Sequence, residues 1–243
     1  MSYYEDYWEK NSNWSPSAGG LRENEAALFE RYCGQGVTVL DYGCGDAFRY
    51  GGRLVERKTD YRGFDISHVA VDAARGRGIN VGLLTDDGKT SLTDGQAQTA
   101  LCFEVLEHLM RPDVAVAEIY RCLGKDGVFL MSVPNPGFMP QRFEFFLTGF
   151  LCPGGSPETS RRSPWKDAHI RFYNTRMIRN LLKEAGFKDI QFIGCRFSIG
   201  HFPVIYRIPA LKRFFDIVSL PLSWLGKLCP SWFSGTFFVK AVK

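Results

Sequence analysis

The order in which short apolar runs and helical segments follow each other most constrains the fold of this chain. The apolar runs are rich in β-branched residues and lie at Val37–Tyr42, Tyr61–Asp65, Ile79–Leu84, Thr99–Phe103 and Val128–Val133. Between them, apolar residues recur at helical spacing in Asp46–Arg57, Ser67–Arg77 and Pro112–Leu123. Such alternation is typical of βαβ units, in which helices cover both faces of a parallel sheet. The pattern predicts an α/β fold.

The chain after residue 133 has a different character. Prolines and glycines are frequent at about 135–168, which indicates a loop-rich insertion. The remaining predicted elements are a helix and two strands, at Asn174–Ala185, Phe187–Phe197 and Thr236–Val242. Between the two strands lies an apolar insertion at about 198–234, predicted to be helical around Pro209–Leu220. We therefore expect one domain over residues 1–243 that contains both insertions.

Composition excludes several classes of protein. The 243 residues are 45% hydrophobic and 23% charged, which is ordinary globular usage and excludes a disordered chain. A formal charge of +4 is too small to indicate nucleic acid as a partner. The seven cysteines form no CxxC pair, which favours reduced thiols and a cytoplasmic location. No apolar run is long enough to predict a transmembrane helix.

A glycine-rich turn follows the first predicted strand. Its sequence is DYGCGDAF, from Asp41 to Phe48. Glycines between a strand and a helix let the backbone approach a bound nucleotide. Asp65 ends the second predicted strand, 24 residues after Asp41, and a carboxylate there can accept hydrogen bonds from both ribose hydroxyls. A nucleoside cofactor is therefore predicted at the carboxyl edge of the sheet.

The residues of the turn favour one nucleoside cofactor over another. The NAD fingerprint has a small third residue, where this chain has Phe48. Two carboxylates, Asp41 and Asp46, would also repel a pyrophosphate. They suit a cation instead, and S-adenosylmethionine carries a sulfonium and an ammonium group. The charges therefore favour S-adenosylmethionine.

The chain resembles the class I S-adenosylmethionine-dependent methyltransferases. The segments that carry the resemblance, in the family's order, are VLDYGCGD (39–46), GFDIS (63–67), Asp86, LCFEVLEHL (101–109), RCLGKDGVFLMSVPNP (121–136), HIRFYN (169–174) and LLKEAGF (181–187). Within that superfamily it is similar to small-molecule and glycan enzymes, including the ubiquinone-biosynthesis O-methyltransferases. The resemblance implies a Rossmann-like, doubly wound seven-stranded sheet, mostly parallel with the last strand antiparallel. The chain departs from the family at Ala47, usually Gly, and at Gln98, usually Asp.

The resemblance also implies a set of cofactor-binding residues. They are Asp41, Gly43, Cys44, Gly45, Asp65, Ile66, Asp86 and Phe103. The two glycines should pass under the methionine part, Asp65 should hold the ribose, and Ile66 should pack on the adenine. Asp86 should accept a hydrogen bond from the adenine amino group, although a solvated loop carboxylate is the alternative. Phe103 should lie near the methionine part, and a core position is equally compatible with the sequence.

A cluster of acid–base residues follows the fourth predicted strand. His108 is the candidate base for the acceptor, with Glu104 and His169 as further candidate catalytic residues. The alternatives are a histidine that packs the next helix and acidic residues that begin it favourably. Glu104, Glu107, His108 and His169 can also form a divalent metal site, since the similar ubiquinone-pathway enzymes carry a related E-x-x-E-H and a later His.

Three further segments predict features around the acceptor. The first insertion carries aromatic residues and then Arg161, Arg162 and Lys166, which form a basic cluster together with the later Arg171 and Arg176. This cluster favours an anionic acceptor, and a solvated loop is the alternative. The N-terminal aromatics Tyr3, Tyr4, Tyr7, Trp8 and Trp14 predict either a lid or a packed anchor. Ile208–Leu222 is amphipathic, which is compatible with peripheral membrane contact, a helix packed on the sheet or a dimer interface.

These observations predict a methyltransferase that modifies an oxygen of a small molecule or glycan intermediate. The alternative is a non-catalytic S-adenosylmethionine-binding partner that regulates another enzyme. A base and an acceptor pocket separate the two, and the aromatic and basic insertion favours catalysis. RNA methylation would need a larger basic surface than a charge of +4 provides.

Overall fold

The protein is built around one twisted sheet. The computed structural model describes residues 3–11, 23–151, 168–202, 205 and 208–243. The strands are β1 Thr38–Tyr42, β2 Asp60–Asp65, β3 Val81–Leu83, β4 Ala97–Phe103, β5 Leu123–Pro134, β6 Lys188–Gly194 and β7 Thr236–Val242. They form a seven-stranded sheet in the order β3-β2-β1-β4-β5-β7-β6. The first five strands pair in parallel, and β7 is antiparallel to both of its neighbours. The Rossmann-like prediction is confirmed.

Helices cover both faces of this sheet. They are α1 Tyr3–Asn11, α2 Glu23–Tyr32, α3 Gly51–Glu56, α4 His68–Gly76, α5 Pro112–Cys122, α6 Met139–Thr148, α7 Thr175–Glu184, α8 Pro209–Val218, α9 Leu225–Leu228 and α10 Pro230–Phe233. Short 3-10 turns occupy Leu106–His108, Ile199–His201 and Leu220–Leu222. None of the helices in the described part of the chain is long and apolar enough to span a membrane.

The core lies in two layers because neighbouring strand residues point to opposite faces. Leu40 packs with residues of α5 and α7 on one face of the sheet. Its neighbour Val39 packs with residues of α2, α3 and α4 on the other. At the start of β1, the Thr38 backbone N–H donates to the Gln98 side-chain oxygen over 2.8 Å. Gln98, which replaces the family's usual aspartate, therefore still anchors the beginning of two adjacent strands.

Some predicted boundaries differ from the observed ones. The helix predicted over Asp46–Arg57 begins only at Gly51, because Gly45 and Ala47 have φ values of 55° and 53° and hold the chain in turns. The left-handed φ of Ala47 shows why a glycine suits that position. The strand predicted to begin at Val128 begins at Leu123, directly after α5. The first insertion, predicted to be loop-rich, contains α6.

The two insertions are joined to each other at one buried side chain. Asn135, at the end of β5, is 1% exposed. Its amide nitrogen lies 3.2, 3.3 and 2.7 Å from the carbonyl oxygens of Pro230, Ser231 and Ser234. Its amide oxygen accepts from the Gly137 N–H over 2.8 Å. The first insertion therefore leaves the sheet against the end of the second. Residues 152–167 lie outside the described residues.

Candidate active site

The glycine-rich turn continues β1 at the carboxyl edge of the sheet. The N–H groups of Gly43 and Cys44 both donate to the Phe64 carbonyl, over 2.8 and 3.1 Å. Gly43 has a φ of 77°, and a Cβ atom placed on it would lie 2.6 Å from a methyl carbon of Val105. A side chain is therefore excluded at position 43 for two reasons. The backbone conformation favours glycine, and Val105 occupies the space that a Cβ atom would take.

Asp41 lies at the base of this turn. It is 2% exposed, and its carboxylate accepts a hydrogen bond from the Tyr61 hydroxyl over 2.7 Å. Burial raises the pKa of Asp41 from 3.8 to about 7, although the bond from Tyr61 opposes that shift. A buried carboxyl with a raised pKa favours a nearby cation, because a positive charge stabilises its ionised form. This environment fits a cationic cofactor.

Asp65 connects the ends of the first two strands. Its carboxylate accepts from the N–H groups of Gly45, over 2.7 Å, and Ser67, over 3.0 Å. Burial raises the pKa of Asp65, and those backbone hydrogen bonds oppose the rise. The next residue, Ile66, is 53% exposed. A fixed carboxylate beside an exposed apolar side chain is suited to a ribose and a base at this edge.

The structure also places the other three residues predicted to bind the cofactor. The Cys44 side chain is half-buried and is directed towards Gly63 of β2. Asp86 is exposed in the turn after β3, and the Tyr42 hydroxyl donates to the Gly88 carbonyl of that same turn over 2.9 Å. Phe103 lies in the core, 8% exposed, and packs against the rings of Phe29, Tyr50 and Phe238. Its surroundings match the core alternative of the sequence analysis.

Helix α1 lies against the cofactor turn. A Cβ atom on Gly45, whose φ is 55°, would lie 2.4 Å from a ring carbon of Trp8. The Glu5 carboxylate accepts from the Ser67 hydroxyl and from the N–H groups of His68 and Val69, over 2.8, 2.9 and 3.2 Å. It therefore supplies the acceptors that the first turn of α4 needs. Of the predicted lid residues, Trp14 lies outside the described residues.

The imidazole rings of His108 and His169 lie next to each other. Their ring centroids lie 4.7 Å apart, although 61 residues separate them in the sequence. The Nδ1 atom of His108 lies 2.9 Å from the Ala168 carbonyl oxygen, and a carbonyl can only accept. In neutral His108 the proton is therefore on Nδ1, and Nε2 keeps a lone pair for accepting a proton. Nε2, which lies 3.9 Å from a Glu107 oxygen, is therefore the nitrogen through which His108 can act as a base.

Backbone contacts hold the two histidines in place. The N–H groups of Ile170 and Arg171 both donate to the Glu107 carbonyl, over 3.0 and 3.1 Å. The Arg171 guanidinium also donates to the carbonyls of Leu109, over 2.7 Å, and Met110. Residues 168–173 therefore dock on the segment that follows β4. Arg171, predicted to help bind an anionic acceptor, is used in this docking.

The remaining members of the predicted basic cluster are distributed differently. Arg176 is exposed at the start of α7. Arg161, Arg162 and Lys166 lie outside the described residues. The interpretation of this cluster as an anion site therefore stays a prediction.

Three of the four predicted metal ligands come together. Glu107, which is 1% exposed, His108 and His169 present ligand atoms that all lie within 4.8 Å of one another. One Glu107 oxygen is 3.9 Å from Nε2 of each histidine. Glu104 is directed elsewhere and accepts from the Ser132 hydroxyl over 2.7 Å. Its φ of 56° is unusual for a residue with a side chain and places it at a strained corner.

Sequence reasoning missed several residues of this edge. Tyr61 supports Asp41, Val105 packs on Gly43, and Ser132 binds Glu104. Tyr61 and Ser132 lie on strands adjacent to those of their partners. The predicted strand order therefore held a signal for both pairs, while the contact made by Val105 depends on the conformation of two loops.

Comparison with known proteins identifies the family of this chain. A family model described as "Methyltransferase domain" matches residues 17–192. A Mycolicibacterium smegmatis protein named "Probable S-adenosylmethionine-dependent methyltransferase" is 30% identical over 167 residues, which cover 68% of this chain and 57% of the relative. The chain therefore spans little more than half the length of that relative. A ubiquinone biosynthesis O-methyltransferase from an Azoarcus species is 24% identical over 87% of this chain and 88% of its own.

Solved structures share the fold. An S-adenosylmethionine-dependent methyltransferase from Archaeoglobus fulgidus matches over 100% of both chains with a TM-score of 0.60 and 18% identity. The Haemonchus contortus phosphoethanolamine N-methyltransferase 2, in complex with S-adenosylmethionine, matches 100% of this chain and 60% of its own. Its TM-score is 0.64 at 16% identity. At these identities the likeness concerns the fold alone.

Proposed function

Because this chain belongs to the S-adenosylmethionine-dependent methyltransferases, we propose that it transfers the methyl group to an oxygen of a small molecule or glycan intermediate. The observation that carries the proposal is the contact between Val105 and Gly43. It brings the segment that ends in His108 directly beside the cofactor turn. A base and a methyl donor at one sheet edge are what an O-methyltransferase needs.

The cofactor-binding roles belong to the same proposal. Gly43, Cys44 and Gly45 supply a backbone surface for the methionine part, and Asp41 supports it from below. Asp65 holds the ribose, and Ile66 packs on the adenine. The carboxylates of Asp41 and Asp65 also offset the positive charge of the cofactor. Asp86 and Phe103 are weaker members of the set, since the first is exposed and the second is packed in the core.

His108 acts as the base in this proposal. The acceptor oxygen attacks the methyl carbon while the carbon–sulfur bond breaks, and the hydroxyl proton passes to Nε2 of His108. The Ala168 carbonyl holds the opposite side of the imidazole and accepts from its Nδ1–H, which suits the cation that forms. His169 positions the ring of His108, and Glu104 supports the loop from which it extends.

Labelled cofactor tests the proposal. The protein is incubated with methyl-labelled S-adenosylmethionine and an extract of its own host, which is then separated into small-molecule, lipid-glycan, RNA and protein fractions. Label is expected in a small-molecule or lipid-glycan fraction. His108→Ala should reduce its transfer by about 10²–10⁴-fold, the usual contribution of a positioned base. The affinity for S-adenosylmethionine, measured by calorimetry, should not change.

Other outcomes of that experiment contradict the proposal. Label in the RNA fraction would replace the acceptor class with nucleic acid. No label in any fraction, with the cofactor still bound, would favour a regulatory binding partner of another enzyme. Full transfer by the His108→Ala variant would remove the base assignment.

A cytoplasmic location is proposed with the function, since no disulfide links the cysteines in the described part of the chain.

A second candidate function is metal-assisted transfer at Glu107, His108 and His169. One carboxylate and two imidazoles are ligands that Zn²⁺ and Mn²⁺ both accept. The Glu107 oxygen lies 3.9 Å from Nε2 of each histidine, and the three ligand atoms all lie within 4.8 Å of one another. The side chains would therefore draw together to hold an ion at about 2.0–2.1 Å. A divalent ion held there would lower the pKa of a hydroxyl on the acceptor.

Direct metal binding tests this second candidate. Equilibrium dialysis of the wild-type protein against Mn²⁺ or Zn²⁺ should give one bound ion, and Glu107→Gln should lose it. Glu104→Gln is the matched control, because Glu104 accepts from Ser132 outside the cluster. Absence of a bound ion, or methyl transfer that survives removal of metal, contradicts the candidate.

A further inference from the structure

Helix α8 has its apolar side turned away from the protein. None of its residues is buried, and Phe214 and Ile217 are 58% and 63% exposed. The side that carries Lys212 and Asp216 packs on the protein: Asp216 accepts from the Ser198 hydroxyl and is paired with Lys212. Surface helices normally bury the apolar stripe and expose the charges. Because α8 exposes its apolar face instead, this face is suited to contact with an apolar partner.

Helix α6 extends this surface. Phe146 is 84% exposed on α6, which is the largest exposure of any large apolar side chain in the described residues. Phe143 contacts the ring of Phe202, which follows the turn against which α8 packs. Arg142 lies over the ring of Trp232, with 4.1 Å to the ring centroid. These contacts make α6, α8 and residues 219–232 neighbours, since α8 also packs on the turn Leu220–Leu222. We call their exposed apolar side chains the apolar surface.

The apolar surface lies at the edge of the sheet that carries the cofactor turn. Helix α6 follows β5, which runs parallel to β4 and β1. The segment from 195 to 202 follows β6, which has the same direction as β5 because both are antiparallel to β7. Both parts of the surface therefore begin where parallel strands end. A molecule bound to the apolar surface would therefore lie next to the proposed acceptor side of the active site.

The charges beside the surface are mainly positive. Asp216 is the only acidic residue between 208 and 233, and it is turned towards the body of the protein. Helix α6 adds the exposed Arg142 and the partly buried Glu144. Arg213 and Lys227 are exposed, and Trp224 and Trp232 are about half-exposed. Apolar residues with lysine, arginine and tryptophan at their margins are typical of helices that lie in a lipid interface.

We propose that the apolar surface docks on an anionic lipid bilayer and that the methyl acceptor is an amphiphile presented there. The acceptor part rests on the proposed function, and the docking part does not. A second copy of the chain is a poorer occupant, because a symmetric dimer through this surface would bring Arg213 and Lys227 towards their own copies. Anionic headgroups complement both charges.

Vesicle flotation tests the docking. The full chain is mixed with vesicles of phosphatidylcholine alone or of phosphatidylcholine with about 30% phosphatidylglycerol. The second composition gives the vesicle a negative surface potential that attracts basic segments. Binding is expected on the anionic vesicles and should be at least about tenfold weaker on neutral ones or in high salt. The double variant Phe214→Glu/Ile217→Glu should lose about tenfold or more in binding.

A matched control separates lipid binding from damage to the fold. Val55→Glu makes the same kind of change on α3, where Val55 is 45% exposed. It should leave flotation unchanged. Both variants should keep wild-type affinity for S-adenosylmethionine, since the replaced side chains face outward. Loss of cofactor affinity in the double variant would mean that those side chains support the fold, which contradicts their assignment to a docking face.

The outcomes distinguish this inference from the proposed function. No flotation with intact cofactor binding overturns the docking. A dimer that sediments in the ultracentrifuge and is lost in the double variant, without flotation, identifies a second copy as the occupant. Label in the aqueous small-molecule fraction alone overturns the amphiphilic acceptor but leaves methyl transfer standing. No label in any fraction refutes the proposed function, while flotation would still support the docking.

Discussion

Gly43 shows how much one residue without a side chain determines at this site. Its φ is 77°, and a methyl carbon of Val105 lies 2.6 Å from the position that a Cβ atom would take, which leaves no room for alanine. Gly43→Ala should lower the free energy of unfolding by about 1–3 kcal/mol and weaken cofactor binding. Gly52→Ala is the control, because nothing lies within 4 Å of a Cβ atom there. It should be neutral or stabilising by about 1 kcal/mol at most.

Thermal and denaturant unfolding, with calorimetry of S-adenosylmethionine binding, measure both effects. Equal stability of the two variants would contradict the conformational role given to Gly43. Normal stability with lost cofactor affinity would mean that the added methyl group acts on the ligand alone.

The buried carboxyl group of Asp41 should make the free energy of unfolding depend on pH. Its pKa is about 7 in the folded protein and 3.8 ordinarily, so the folded state binds the proton more tightly than the unfolded state. Its contribution to stability is therefore complete below about pH 4 and is lost as pH rises to 7. Asp41→Asn cannot ionise and should avoid this loss. Relative to the wild type, it should gain about 2–4 kcal/mol between pH 4 and 7.

Urea unfolding of both proteins without cofactor at several pH values measures that difference. The Tyr61 hydroxyl can still donate to an asparagine oxygen, so the hydrogen bond is kept in the variant. A difference that does not change with pH would show that Asp41 is ionised throughout this range, and that burial does not control its titration.

At the scale of elements, one side chain holds two insertions together. The amide group of Asn135 faces three carbonyl oxygens near α10. Asn135→Asp replaces this donor with an acceptor, so a buried carboxylate would meet carbonyl oxygens. The variant should lose about 2–4 kcal/mol of stability at neutral pH, and part should return in acid, where the carboxyl group can donate.

Asn174→Asp is the control for this substitution. Asn174 precedes α7, and its side-chain oxygen accepts from the Met177 N–H over 3.0 Å. Aspartate keeps that acceptor and adds a favourable charge at the start of a helix. The same chemical change should therefore be neutral or stabilising there. Similar losses in both variants would contradict the donor role of Asn135.

At the scale of the whole molecule, α1 connects the N-terminal region to the cofactor edge. Glu5 accepts hydrogen bonds from the start of α4, and those bonds lower the pKa of Glu5. Glu5→Ala should release α1, so that trypsin cuts faster after Lys10 and S-adenosylmethionine dissociates faster. Asp6→Ala removes the same charge from an exposed neighbour and should change neither rate.

Timed proteolysis and stopped-flow dissociation measure these two rates. Faster cleavage with an unchanged dissociation rate would mean that α1 packs on the turn without covering the cofactor. That result would favour the packed anchor over the lid, the two alternatives left open by the aromatic residues of the N-terminal segment.

The fold and the cofactor turn were determined by local features of the sequence. Strand and helix periodicities are properties of a few consecutive residues, and in βαβ units they lead to a parallel sheet. The glycines at 43 and 45 were identifiable because left-handed backbone conformations favour that residue. His108 could be placed at the carboxyl edge of the sheet because it lies five residues after the end of β4.

Contacts between distant segments were decided only by the tertiary structure. His169 reaches Glu107 because residues 168–173 dock by hydrogen bonds that no local pattern encodes. Glu104 was predicted to be a metal ligand together with Glu107, but it has a φ of 56° and accepts from the Ser132 hydroxyl instead. The sequence showed that α8 is amphipathic, but it did not show which side of the helix faces the protein. Periodicity defines two sides of a helix, and only packing determines which side faces the protein.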